Sequence, residues 1–209
     1  MKVKFFDLGL TDYTTSHDFQ KQLLNKVKDN EIEHALISCR HYPVITLGRQ
    51  AKLENLLVSE KELEKNEIKL IKVERGGDIT YHGPGQLTIY PIFNLSLLKK
   101  DIHFFMRNLE RVTIAALMHF NIKASQRQGL TGVWINNEKI ASIGIAVRQW
   151  VTCHGITINI KRDDLGNFSL IRPCGMDIMM TSMESILGEN IDIDKVGKIF
   201  NKEIMQWPK

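Results

Sequence analysis

Cysteine is scarce in this 209-residue sequence, with three residues, Cys39, Cys153 and Cys174, and no CxxC pair among them. An odd and sparse count argues against a disulfide framework and against a cysteine-ligated zinc site, and it fits a reducing compartment. Long apolar runs are absent too: none approaches the roughly eighteen residues a bilayer span needs, so no membrane partner is expected. The opening MKVKFFDLGLTDY reaches Asp7 before a signal-length apolar run develops, and no small-residue cleavage site follows. A cytoplasmic protein is therefore expected. Nor is there much excess of one charge: 28 basic against 24 acidic residues leave +4. That surplus suits acidic partners, but without a basic stripe interleaved with aromatics no nucleic-acid partner is expected. No Pro-, Gly- or Ser-rich stretch divides the chain and no repeat recurs, so residues 1–209 are read as one domain. What is present is a globular balance, 43% hydrophobic and 25% charged, long enough to enclose a core without staples.

The periodicity alternates between strand and helix. Lys2 to Leu8 reads as an opening strand, followed by a helix capped by Ser16 or Thr15 with Phe19, Leu23, Leu24 and Val27 at helical spacing. Glu33 to Cys39, Val44 to Leu47 and Ile68 to Val73 read as strands, with a short helix opened by the Ser59/Glu62 capping box before the last. Asp101 caps the longest helix, where Ile102, Phe105, Leu109, Val112, Ala116 and Phe120 form one apolar face and the Met and Phe residues are read as core. Val133 to Ile135, Ile140 to Val147 and Ile156 to Ile160 form a meander, the first two strands joined through Asn136-Asn137. A C-terminal helix carries Val196, Ile199, Phe200 and Ile204. Strands beside strands, with helices inserted between groups, predict an α+β fold: a mixed β-sheet with flanking helices.

Three places carry chemistry. Arg75-Gly76-Gly77-Asp78-Ile79-Thr80-Tyr81-His82-Gly83-Pro84-Gly85-Gln86 concentrates four glycines between strand-like runs, which lets backbone amides approach a ligand closely, although tight turns explain the composition equally well. The segment lacks the Gly-Lys-Ser/Thr of a P-loop and the Rossmann spacing. His82 either caps backbone groups there or orients a substrate. Cys174 sits in a Pro-Cys-Gly turn near Arg172, where a loop presents sulfur to a cleft and positive charge favours thiolate; Cys39 and Cys153 read as buried, inert thiols. Lys139 follows the Asn-Asn turn. Beside a thiol its ammonium would lower the thiol pKa, and partial burial would lower its own.

Together these residues resemble the octanoyltransferase family of lipoate biosynthesis. The resemblance rests on RGGDITYHGPGQL (Arg75 to Leu87) with Tyr90, on His41-x-Pro43-Val44-x-Thr46-Leu47-Gly48-Arg49, and on Gly132-Val133-Trp134. It continues through Lys139-Ile140-Ala141-Ser142-Ile143-Gly144, His154-Gly155 with Asn159, and Pro173-Cys174-Gly175, all in the family's order. Ile156-Thr157 and Met176 depart from the commoner family residues.

The resemblance implies the fold of the biotin and lipoate protein ligase superfamily. It implies Cys174 as the acyl-thioester nucleophile and Lys139 as its pKa-lowering proton shuttle. It places Arg75, Gly76, Gly77, Asp78, Ile79, Thr80, Tyr81 and His82, with Ser142, Ile143, Gly144, Gly155, Ile156 and Thr157, along the acyl site. Ile143, Ile145 and Ile156 are expected to supply an apolar tunnel. The donor implied is octanoyl-acyl carrier protein, which delivers octanoate on its phosphopantetheine, so that neither ATP nor a metal is required. The implied acceptors are lipoyl domains of 2-oxoacid dehydrogenase E2 subunits and the glycine cleavage H protein. Arg49, Lys123, Arg127, Arg148, Arg162 and Arg172 are candidates for steering such acidic partners. Three rivals remain at this point. One is an ATP-dependent lipoate or biotin protein ligase of the same fold, another a non-catalytic acyl-carrier-binding module, and the third a cysteine hydrolase with His82 or His154 as base.

Overall fold

Among the described residues, ten strands form two sheets. The computed structural model describes residues 1–207, with Cys174 described by its backbone alone. The strands are β1 (Val3–Thr11), β2 (His34–His41), β3 (Val44–Leu47), β4 (Lys69–Lys72), β5 (Ile79–His82), β6 (Gln86–Phe93), β7 (Ser125–Arg127), β8 (Leu130–Ile135), β9 (Glu138–Arg148) and β10 (Val151–Asn159). The helices are α1 (Tyr13–Lys28), α2 (Glu60–Lys65), α3 (Ile102–Met118), α4 (Met183–Leu187) and α5 (Ile193–Ile204). The large sheet runs β1-β2-β6-β10-β9-β8-β7 and is antiparallel except for β1–β2; the small one runs β4-β3-β5 with β3–β4 parallel. The expected mixed sheet is thus two sheets. The split comes from long-range pairing of β3 with β5, which no local pattern encodes.

The interior strand β6 is buried at every position because helices cover both faces of the sheet. On one face α3 brings Phe105, Leu109, Val112 and Ala116, and α5 brings Val196, Phe200 and Ile204. On the other, α1 lays Leu23, Leu24 and Val27 over Ala35, Ile37 and Ile92. Each buried Val, Leu, Ile or Phe among them contributes about 1.5–3 kcal/mol. Pro91 interrupts β6 and has no amide proton to donate. Thr152 Oγ1 repairs the gap, donating to Pro91 O at 2.6 Å and accepting the Phe93 N–H at 2.9 Å.

Two caps fall where the sequence puts them: Asp101 accepts the Phe104 N–H at 2.9 Å, and Ser59 accepts that of Glu62 at 3.3 Å. The first helix differs. Its cap is Asp12, which accepts the Thr14 N–H at 2.9 Å, while Ser16 lies inside the helix and donates to Tyr13 O. The expected long helix ends at Met118, which is exposed; Ile102 is 39% exposed, and Phe120, two residues beyond the helix, is only half-buried. Met118 stands nine residues past Leu109, half a turn round the helix, and Ile102 is the first residue of the helix. Cys39 and Cys153 are free and buried on the α1 side of the sheet, and burial pushes the Cys153 thiol up to about 11. Among the described residues, no helix is long and apolar enough to cross a membrane.

Candidate active site

The segment Arg75–Asp78 is fastened to the end of β3. Arg49 N–H donates to Arg75 O (3.0 Å), Gln50 N–H to Gly77 O (3.1 Å) and Gly48 N–H to Asp78 O (3.1 Å). The approach is close enough that a β-carbon at Gly48 would stand 2.3 Å from Gly77 O, so residue 48 has to be glycine. Arg75 is 7% exposed, and its guanidinium turns inward to Thr46, with Nη2 2.7 Å from Thr46 O and 2.9 Å from Oγ1. On the other side Gly76 N–H reaches Ile145 O of β9 at 2.8 Å. The loop therefore bridges the small sheet and the large one.

Asp78 passes the connection onward. Its carboxylate accepts from the Lys52 amide and from Asn55 Nδ2, and Asn55 O accepts the Arg172 N–H at 2.8 Å. Leu57 N–H to Leu170 O (2.9 Å) runs alongside. This clamp places the one-turn 3-10 helix Pro173–Gly175, which contains Cys174, against the loop. The side chain of Cys174 lies outside the described residues. Lys139 comes from the start of β9; its amide donates to Met179 O (2.8 Å) and its carbonyl accepts the Thr181 N–H (3.0 Å), which pins the chain just beyond the Cys174 turn beside it. Its side chain is 7% exposed and its Nζ lies 5.3 Å from the Trp134 ring centroid.

One cleft gathers these parts. Arg75, Gly76, Gly77, Asp78, Ile79, Thr80, His82, Lys139, Ser142, Ile143, Gly144, Gly155, Thr157 and Pro173 line it. Tyr81 and Ile156 do not: Tyr81 packs on Phe168 and its hydroxyl accepts from Asn167 Nδ2, and Ile156 is buried in the main core. Ile145 is likewise a core residue, leaving Ile143 as the isoleucine of the expected tunnel that reaches the cleft.

The back wall is a cluster that sequence alone did not assign to the site. Tyr13, Tyr90 and His154 join the lining, and Tyr13 stands 5.7 Å from His82 and 5.2 Å from His41, ring to ring. His82 is held at both nitrogens by hydroxyls, with Thr157 Oγ1 3.1 Å from Nδ1 and Thr46 Oγ1 3.5 Å from Nε2. Burial, reinforced by His41, Arg75 and His154, drives its pKa well below 6.5. Burial likewise lowers His41 to about 4 and raises the Tyr90 phenol. The wall is neutral and hydrogen-bonded at physiological pH. Tyr90, His41 and His154 stood in the motifs quoted above without a place in the site, and Tyr13 left no signal but its position after Asp12.

Several of the basic residues expected to steer partners have local contacts. Arg172 pairs with Asp177 (3.0 Å), Arg162 reaches Glu184 O (3.2 Å), Arg148 lies 3.7 Å from Glu74, and Arg127 stacks on Trp134.

This architecture is that of the lipoate and biotin protein ligases. A putative lipoate protein ligase from T. acidophilum with bound lipoic acid superposes with a TM-score of 0.76 at 15% identity, covering 99% of this chain and 86% of that one. The biotin protein ligase from Aquifex aeolicus superposes at 0.54 with 13% identity, covering 98% and 68%. The sequence profile of the lipoyl protein ligase A/B catalytic domain matches residues 12–205. An octanoyltransferase from Thermoanaerobacter sp. (strain X514) is 45% identical over 93% of this chain and 85% of its own length, and further relatives at 40% to 42% carry the same name. The chain belongs to the lipoyl protein ligase A/B catalytic domain family, within its octanoyltransferases, and is an acyltransferase.

Proposed function

We propose that this enzyme moves an octanoyl group from the phosphopantetheine thioester of acyl carrier protein to a specific lysine of lipoyl domains, through an acyl thioester on Cys174. The observation that carries this reading is the convergence of Lys139 and the Pro173–Gly175 turn on one cleft walled by residues 75–80 and 142–144, Gly155 and Thr157. The Cys174 thiolate attacks the donor carbonyl, backbone amides at the turn hold the oxyanion, and the phosphopantetheine sulfur departs as a thiol with the proton of the Lys139 ammonium, which becomes neutral. In the second half the acceptor lysine, as neutral amine, attacks the acyl-enzyme. Lys139 takes the proton released as the amide forms and the Cys174 thiolate leaves. Thioester to amide runs downhill, so no nucleotide is needed to activate the acyl group.

Identity supports transfer over ATP-dependent ligation. The relatives at 40% to 45% are octanoyltransferases, whereas the ligases share only the fold. Burial makes His82 a weak base and hydroxyls occupy both of its ring nitrogens, which disfavours a hydrolase working through it. Steady-state kinetics test the proposal: with octanoyl-carrier protein and lipoyl domain varied against each other, parallel double-reciprocal lines are expected. ATP should have no effect, and salt should slow both half-reactions. Intersecting lines, or an ATP requirement, would overturn the proposal.

A further inference from the structure

Behind the cleft, where α1 crosses β10, a second group of ligand-type side chains converges. His17 comes from α1, Glu74 from the residue preceding the glycine-rich loop, and His154 from β10, and their ligand atoms all lie within 4.8 Å of one another. His17 Nε2 is 3.1 Å and His154 Nε2 is 3.6 Å from the same carboxylate oxygen, Oε2 of Glu74. A tetrahedral ion with donors about 2.0–2.1 Å away holds those donors about 3.3 Å apart. The two contacts to Glu74, at 3.1 and 3.6 Å, bracket that spacing, and the two imidazole nitrogens, within 4.8 Å of each other, close toward it as an ion binds.

Two features of His154 point to a ligand. The residue is 1% exposed, yet its Nε2 makes no hydrogen bond of ordinary length among the described residues, Glu74 Oε2 standing off at 3.6 Å, a state that buried nitrogens rarely tolerate. Its other nitrogen, Nδ1, lies 3.4 Å from Tyr13 Oη, so a ring protonated there aims the Nε2 lone pair toward Glu74. The backbone at His154 is also left-handed (φ 58°), and Gln20 Oε1 accepts its N–H at 2.9 Å. Strain of this kind persists where surrounding structure fixes a side chain in one direction. A hollow of about 190 Å³ opens from solvent onto His17 and Glu74. Arg148, which is mostly exposed, lies 3.7 Å from Glu74 Oε1, not the oxygen nearest the two histidines.

We propose that His17, Glu74 and His154 form a site for a divalent transition ion of the zinc class, with water in the fourth position. Two imidazoles and one carboxylate suit zinc and disfavour magnesium or calcium, which require oxygen donors. The ion takes no part in acyl transfer. It ties α1 to β10 and to the entrance of the Arg75–Asp78 loop, bracing the cleft wall from outside.

The test uses the full chain with Cys174→Ser, so that the proposed nucleophile does not compete for metal. Calorimetric titration with Zn²⁺ is expected to give one equivalent with a Kd of about 10 μM or tighter. The unfolding midpoint should rise by roughly 5 °C or more in saturating zinc, with no response to Mg²⁺. His17→Gln and Glu74→Gln should each weaken binding tenfold or more. Co²⁺ in the unmutated trio should give tetrahedral d–d bands without thiolate charge transfer, a readout that does not depend on either variant folding. No zinc binding up to about 1 mM, unchanged affinity in a folded His17→Gln or Glu74→Gln protein, or a thiolate band with Co²⁺ would each overturn the proposal.

Discussion

Gly132 lies flat against Lys139: a β-carbon at position 132 would stand 2.4 Å from Lys139 Cε and 2.6 Å from Ala141 O. With φ at +127°, the position also suits glycine alone. Gly132→Ala is therefore expected to displace the Lys139 side chain, lowering kcat by tenfold or more and stability by about 1–2 kcal/mol. Steady-state rates beside urea unfolding check this, and a kcat within twofold of the parent would contradict it.

Glu110 holds that glycine from the far side. Its carboxylate is fully buried, accepts the Gly132 N–H at 2.9 Å and pairs with Arg107 at 2.7 Å. Glu110→Leu strips the amide of its acceptor and should cost about 1–3 kcal/mol, while Glu110→Gln keeps an acceptor and should cost less. Equal midpoints for the two variants would refute the assigned role.

The closeness of β6 and β10 gives a sharper steric contrast. At Gly155 an added β-carbon would meet Ile89 O at 2.1 Å, whereas at Gly166 it would meet nothing within 4 Å. Gly155→Ala should lose about 2–3 kcal/mol or fail to fold, and Gly166→Ala should sit near the parent. Thermal unfolding of the pair decides it.

Acid sensitivity should follow from two buried histidines outside the chemistry. Burial lowers both His34 and His41 from 6.5 to about 4. Neutral in the folded chain, they give stability that is complete above about pH 6.5, falls as the unfolded chain takes up protons between 6.5 and 4, and levels off below. Each is worth on the order of 1–3 kcal/mol across that window. His34 accepts the Asn94 N–H at 3.2 Å through Nδ1, and His34→Gln preserves an acceptor there. The urea midpoint of His34→Gln should drop less than the parent's between pH 7 and pH 4.5; an equal drop would sink the assignment.

How much of this was written in the sequence varies by element. The caps at Asp101 and Ser59 were legible because one strong capping residue precedes an apolar period. Asp12 was not, since Thr14, Thr15 and Ser16 offer equally good chemistry within four residues, and only the end of β1 decides among them. The site's glycines were visible as composition, but their purpose, the contact of Gly48 with Gly77 and the Asp78–Asn55–Arg172 clamp, depends on chain segments far apart in sequence. Tyr81 and Ile156 were misplaced because their neighbours on each strand do face the cleft, and alternation turns them inward. The converging trio of His17, Glu74 and His154 left no local trace at all.

Mixing the enzyme with octanoyl-carrier protein, without acceptor, and weighing the intact chain is the most direct trial of the acyl-transfer account. One octanoyl group should appear, map to the peptide bearing Cys174, vanish in Cys174→Ala, and be discharged on adding a lipoyl domain but not its lysine-to-arginine variant. An enzyme that transfers octanoate yet never gains that mass, or gains it equally in Cys174→Ala, would contradict it.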